Sequence, residues 1–235
     1  MRSLREQYLS IAAKSPGFLW NALIDLYAKC EKLAEARLVF EQLPCKRVVS
    51  WNSMLDGFCR SGDIKKARLF FNEIPEKDPD KITLASVLSS CASVAALNHG
   101  IWVHVYIKKN HIELDIMLGT ALIDMYGKCG SIEEAYEIFS DMTEKNEFVW
   151  TAMIAAHAME GQVQKAIDLY SEKEALAIKP DHVTFAALLS ACSHGGLVNE
   201  GYTYFNKMTS VYSIVPKIQN YGCMVDLQGR AGCLD

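Results

Sequence analysis

The sequence predicts an all-α protein, a right-handed α-solenoid of stacked helix-turn-helix repeats. Three observations predict it. Closely related phrases return along the chain, as in VVSWNSMLDGFCRSGDIKKARLFFNEIPEKDPD from residue 48 and EFVWTAMIAAHAMEGQVQKAIDLYSEKEALAIKPD from residue 147. Within each phrase a Gly marks the middle, and an Ala is followed four residues later by an aromatic. Half of the residues are apolar and 22% are charged, ample for a continuous core and unlike a disordered chain.

Aligning the phrases on their fifth residue gives six full units, 17–47, 48–80, 81–115, 116–146, 147–181 and 182–217, then a truncated one, 218–235. Residues 1–16 form an N-terminal segment or the remnant of a preceding repeat. Unit lengths run from 31 to 36 residues. A larger period of three units also shows, since NALIDLYAKC at 21 matches TALIDMYGKC at 120 and ASVLSSCAS at 85 matches AALLSACSH at 186.

Each unit has room for two helices and a tight turn. In unit 48–80 the first helix is predicted over 49–60, with Met54, Leu55 and Phe58 at helical spacing. Gly62 marks the turn, where a left-handed backbone is easiest for Gly. The second helix follows over 63–73 with Ile64, Ala67, Phe70 and Phe71. Later units keep Gly130, Ala135 and Phe139, then Gly161, Ala166 and Tyr170; unit 17–47 keeps Ala36 and Phe40 but places Glu31 at the turn. A small Ala facing a large aromatic lets two helices approach closely. One hairpin cannot bury both its apolar faces, so neighbours must stack, with the first helices lining the concave side.

A net charge of −4 and a pI near 5.9 mean that bulk charge gives no sign of nucleic acid. No apolar run approaches the roughly 20 residues that cross a bilayer, so no membrane insertion is expected. The eight cysteines contain no Cys-x-x-Cys pair and recur with the repeat, Cys30 with Cys129 and Cys91 with Cys192. They read as buried, reduced, small apolar residues. The N-terminus lacks a long apolar signal core and is too short and too weakly basic for a transit peptide.

The strings VVSWNSMLDGFCRSGDIKKARLFFNEIP, GTALIDMYGKCGSIEEAYEIF, ITLASVLSSCASVAALNHG, HVTFAALLSACSHGGLVNEGYTYFNKM and YGCMVDLQGRAG resemble pentatricopeptide repeats. Their alternating lengths resemble the PLS subclass of land plants: 17–47, 116–146 and the truncated 218–235 as short, 48–80 and 147–181 as P-like, 81–115 and 182–217 as long. The resemblance implies sequence-specific binding of single-stranded RNA in a mitochondrion or chloroplast, one base per repeat, as a specificity factor for C-to-U editing or other RNA processing. An α-solenoid suits that task, because it offers evenly spaced pockets to splayed bases. The alternative function is a helical-repeat scaffold for protein–protein interaction.

Carried onto this sequence, the resemblance assigns base selection to the fifth and last residues of four units: Asn21 with Arg47, Asn52 with Asp80, Thr120 with Asn146, and Thr151 with Asp181. Asn52 with Asp80 implies uracil, with cytosine second. Thr120 with Asn146 implies adenine, and Thr151 with Asp181 implies guanine. The chemistry fits: a carboxylate only accepts, which suits the N–H groups of guanine, while an amide also donates. Asn21 with Arg47 departs from the pattern and implies only a pyrimidine. Ala85 and Ala186 in the long units carry nothing to read a base with. The expected site is pyrimidine-U-x-A-G-x, short enough that the chain reads as part of a longer array.

The residues themselves bear on this. A short polar group on an apolar helical face costs about 1–3 kcal/mol if buried unpaired, and a base edge would supply its partner. Position 2 holds Phe18, Val49, Ile82, Met117, Phe148 and Val183, which either sandwich bases or belong to the core. Position 13 holds Lys29, Arg60 and Lys128, with Arg230 in the last fragment. These contact phosphates, or else are solvated helix ends favoured by the helix dipole.

Members of the resembled subclass direct editing through C-terminal deaminase-like domains, whose zinc site is written His-x-Glu…Pro-Cys-x-x-Cys. His111-Ile112-Glu113 occurs here, but it follows the second helix of a repeat and no Cys-x-x-Cys completes it. No phosphate loop or nucleophile motif is present. The expectation is no catalysis and no cofactor or metal, with editing factors or a deaminase supplied in trans.

Overall fold

The computed structural model describes residues 17–61, 63–74 and 79–230. The described residues form α-helices and turns, without a strand. The helices pair as hairpins: α1 (Gly17–Lys29) with α2 (Leu33–Glu41), α3 (Val48–Arg60) with α4 (Ile64–Asn72), and α5 (Lys81–Ser93) with α6 (Leu97–Lys109). Then come α7 (Ile116–Lys128) with α8 (Ile132–Asp141), α9 (Glu147–Met159) with α10 (Val163–Ala175), and α11 (His182–Gly195) with α12 (Val198–Asn206). A π-helical turn over Lys207–Val211 extends α12, and α13 spans Ile218–Arg230. The repeat predicted over 48–80 thus has its helices within one residue of the expected bounds.

Two compact units divide the chain near residue 106. In the first, α1 packs on α3 and α3 on α5; in the second, α7 packs on α9, α9 on α11 and α11 on α13. The first helices of successive hairpins therefore form a layer of their own within each unit. Small residues set their spacing. A Cβ built on Gly57 would lie 2.7 Å from that of Ala28, and one on Gly127 would lie 2.5 Å from that of Ala156. Such contacts leave no room for a methyl group.

One aromatic contact repeats in register and ties α2 to α3 and α8 to α9. Phe40 meets Trp51 edge-on with ring centroids 4.7 Å apart, and Phe139 meets Trp150 likewise at 4.9 Å. Each such pair contributes about 0.5–1.5 kcal/mol beyond the area it buries. The small residue one turn earlier, Ala36, Ala67, Ala135 or Ala166, is buried as the sequence predicts.

The mid-unit turn needs a left-handed residue. Gly130 and Gly161 supply it with φ of 76° and 69°. Glu31, in the same slot of the first hairpin, takes φ 59° despite its side chain. The turn read at Gly62 and the segment 1–16 lie outside the described residues.

The cysteines correct one expectation. Cys59, Cys91 and Cys192 are buried, but Cys30 and Cys45 are exposed, because the last turn of α1 and the loop after α2 face solvent. All seven described cysteines are free thiols.

Candidate nucleic-acid interface

Each first helix opens with its second residue turned outward. Phe18, Val49, Ile82, Met117, Phe148 and Val183 are all exposed, from 40% at Met117 to 70% at Phe18. The residue that follows points inward: Ser50, Thr83, Leu118, Val149 and Thr184 are buried. The core alternative for position 2 is thereby excluded. Six apolar side chains in one register stand in water at helix starts, and exposed apolar groups at such regular intervals mark a binding surface more often than scattered ones do.

Several repeats end in a residue that caps the next helix, which sequence reading missed. Asp80, Asp181 and Asn146 are the N-caps of α5, α11 and α9. Asp80 Oδ1 accepts from the N–H and the hydroxyl of Thr83, both at 2.7 Å. Asp181 Oδ1 accepts the same pair from Thr184 at 2.8 Å, closing a capping box. Asn146 Oδ1 accepts from the N–H groups of Phe148 and Val149 at 3.1 and 3.2 Å. Each cap is worth about 1 kcal/mol and pins the side chain at the helix start, beside position 2. Arg47 also precedes a helix but makes no side-chain cap, and it is exposed. The Asp-x-x-Thr strings at 80–83 and 181–184 are the signal for these caps.

The fifth residues correct the argument that they lack partners. Thr120 and Thr151 donate to the carbonyls of Ile116 and Glu147, one turn back, at 2.6 and 2.8 Å. Asn21 Oδ1 accepts from Ser50 Oγ at 2.7 Å. Asn52 differs: its Oδ1 is buried and has no hydrogen-bond partner among the described residues. The structure links Thr151 to Asp181 through Thr184, whose hydroxyl oxygen lies 2.9 Å from that of Thr151. Lys173 completes this network from α10. Its ammonium donates to Thr151 Oγ1 at 2.9 Å and to Thr184 Oγ1 at 3.0 Å, and its side chain is fully buried.

Burial pushes the Lys173 ammonium below the usual lysine range, although Asp181 and Glu147 act against that. Burial also opposes ionisation of Asp181. The N–H and hydroxyl of Thr184 and the charge of Lys173 outweigh it and hold that carboxyl below the usual carboxylate range. Asp181 is therefore an acceptor at neutral pH.

The cations at position 13 are exposed, but each is already in an ion pair. Lys29 meets Asp25 at 2.7 Å, Lys128 meets Asp124 at 2.8 Å, Arg230 meets Asp226 at 2.9 Å, and Arg60 is bonded to Asp56. The acid stands four residues earlier every time, a spacing visible in LIDLYAK and LIDMYGK that sequence reading passed over. His111, the start of the partial zinc motif, is exposed in the loop after α6 with φ 53°.

Comparison with known proteins gives the family and bears on the fold. A model described as the PPR repeat family matches residues 46–93 and 145–194, and one described as the PPR repeat matches 18–48, 120–147 and 183–211. The chain belongs to the pentatricopeptide repeat family. Pentatricopeptide repeat-containing protein At1g50270 of Arabidopsis thaliana is 47% identical over all of this chain and 40% of its own length. The ELI1 protein of the same plant, termed chloroplastic, is 47% identical over 66% of this chain and 25% of its own length. The chain spans about two fifths of the first relatives it matches. Among solved structures, the pentatricopeptide repeat protein PPR10 in complex with an 18-nt psaJ RNA element superposes with a TM-score of 0.77. That match covers 97% of this chain and 34% of PPR10 at 18% identity, so it bears on the fold.

Proposed function

We propose that this chain binds single-stranded RNA, one base per repeat, as part of a longer specificity factor for C-to-U editing or another RNA-processing step. The observation that carries the reading is that all six position-2 side chains are apolar and exposed, several of them beside a polar residue held by a helix cap. Bases stack on Phe18, Val49, Ile82, Met117, Phe148 and Val183. Base edges meet the atoms that the caps leave over at Asp80, Asn146 and Asp181, together with Asn21, Asn52, Thr120 and Thr151 and, in the first repeat, Arg47. The orphaned Oδ1 of Asn52 supports this, since a buried acceptor without a donor is costly until a ligand supplies one.

Lys29, Arg60, Lys128 and Arg230 contact phosphates by exchanging their Asp partners for the RNA backbone. The repeat boundaries and the PLS pattern of short, P-like and long units belong to this proposal. So do the plant-organelle setting, in keeping with relatives termed chloroplastic, and the supply of any deaminase in trans.

The test is fluorescence anisotropy at fixed, moderate salt with two short RNAs. One carries pyrimidine-U-x-A-G-x and the other exchanges its A and G. The expected preference is about tenfold, or 1–3 kcal/mol for the misread positions. It should reverse when Thr120 and Asn146 take Thr and Asp while Thr151 and Asp181 take Thr and Asn. Phe148→Ser should weaken binding of both RNAs by about 1–3 kcal/mol and leave folding stability almost unchanged. Equal binding of unrelated RNAs, alongside tight capture of a protein partner, would instead establish the scaffold function.

A further inference from the structure

One side chain per full unit stands in the last turn of the second helix or within two residues of its end. The twenty-seventh residue of the six units is Leu43, Ile74, Ile107, Met142, Lys173 and Met208 in turn. Five are apolar, and one is a lysine whose side chain is nonetheless fully buried. In repeat 48–80 the corresponding space, lined by Trp51, Ile74, Asp80 and Thr83, is a cavity of about 170 Å³. In repeat 147–181 the Lys173 ammonium reaches the matching threonine, Thr184.

The hydrogen bonds around Lys173 leave little choice of proton position. Thr151 donates to the Glu147 carbonyl and Thr184 donates to Asp181 Oδ1. Their two oxygens stand 2.9 Å apart, a distance at which one hydroxyl ordinarily donates to the other. The ammonium takes over that role. It gives one N–H to each oxygen and directs its third towards the Glu147 carbonyl at 3.5 Å. Thr151 thus has its proton engaged on the backbone and its oxygen contacted by a cation, so it offers a base only a weakened acceptor.

We infer that Lys173 is a specificity-determining positioning residue: by donating to the Thr151 oxygen it weakens that oxygen as an acceptor and shifts the choice of base in this repeat towards Asp181. The carboxylate oxygen that the cap does not use can only accept, which suits guanine with its N–H groups at N1 and N2. An uncovered Thr151 oxygen would add an acceptor for the amino group of adenine and blur the choice. The same column explains why the repeat with Asn52 differs, because Ile74 offers no donor and the Asn52 oxygen stays open. This inference rests on the proposed reading of RNA by position 5 and the closing residue.

The experiment compares the native chain with Lys173→Met, the residue that slot 27 already holds twice in this sequence. Three RNAs carry guanine, adenine or uracil opposite repeat 147–181, and a fourth is altered only opposite repeat 116–146. The expected result is that the preference for guanine over adenine falls at least threefold, discrimination at the neighbouring repeat is unchanged, and the thermal midpoint is unchanged or higher.

An unaltered guanine preference, or an equal loss of affinity for all the RNAs with a lower midpoint, would overturn the inference and leave Lys173 a packing residue. Absence of any base preference in the native chain would sink the RNA reading itself, and this inference with it. Should Lys173→Met not fold, Ile74→Lys makes the reciprocal change in a cavity that has room for it. Covering the Asn52 oxygen is then expected to cut the uracil preference of that repeat at least threefold, and an unchanged preference would count against the inference.

Discussion

Asp80 closes one repeat and starts the first helix of the next, accepting from both the N–H and the hydroxyl of Thr83 at 2.7 Å. Asp181 and Thr184 repeat the relationship a hundred and one residues later. One carboxylate oxygen is thereby committed to folding, while the cap does not use the other. A side chain anchored by its own helix loses little entropy on binding a ligand, which favours specificity.

This dual role separates two substitutions at one position. Asp181→Ala should cost about 1 kcal/mol of stability by removing the cap. Asp181→Asn keeps a capping oxygen and should cost only a few tenths, yet it replaces an acceptor by an amide and should move the base preference from guanine towards adenine. Urea denaturation and anisotropy on the same two variants check both statements.

Neutralising one acid in the Asp–cation row should strengthen RNA binding. Asp124 holds Lys128 at 2.8 Å on an exposed surface, so Asp124→Asn should change stability by no more than about 0.5 kcal/mol. The freed ammonium should steepen the dependence of log K on log salt by about 0.7, the contribution of one phosphate contact on a single strand. A salt titration of the variant beside the native chain reads this directly.

Helix spacing should be more sensitive than helix turns. Gly127→Ala places a methyl 2.5 Å from the Ala156 Cβ and should cost about 1–3 kcal/mol as α7 and α9 are forced apart. Gly161 has open space around it and needs only a left-handed φ of 69°, so Gly161→Ala should cost about 1 kcal/mol. Thermal unfolding of the two variants should rank them in that order.

A pH-dependent clip holds the π-helical turn after α12 to α10. Glu174 accepts from Lys207 Nζ at 2.6 Å and from Tyr212 OH at 2.6 Å. Burial opposes its ionisation, but Lys207 and Tyr212 outweigh that and lower its pKa. A lowered carboxylate pKa means stability that is fully present above the unfolded value near 4.3 and is lost as pH falls through the folded value. The carboxylate is partly exposed, so screening limits the gain to about 0.5–1 kcal/mol. The stability gap between the native chain and Glu174→Gln should be of that size at pH 7 and should close in acid, as measured by urea denaturation across the range.

Much of this molecule is legible in its amino-acid sequence. Recurring phrases mark the hairpins, and in the unit from residue 48 the helix bounds follow to within a residue because Gly, Ala and aromatic positions each answer to a local steric demand. The left-handed slot at Glu31 shows the strength of that pattern, since the fold imposes the turn even where Gly is absent. The caps at Asp80 and Asp181 are also written in the sequence as Asp-x-x-Thr, but a carboxylate at a repeat boundary can serve a base and a helix at once, and the string alone points to neither duty exclusively.

Position 2 and the partners of position 5 are of a different kind. Phe148 and Val149 are both apolar and adjacent, yet one is exposed and the other buried. Composition cannot separate them, because the answer depends on which part of the first turn the next hairpin covers. Lys173 likewise breaks a column of apolar residues in plain view, but its meaning comes from three oxygens on two other helices. Local sterics and periodicity determine the hairpin from sequence alone. Which polar atoms end up covered, paired or left open is decided only when hairpins stack, since that choice is made by residues distant in the chain.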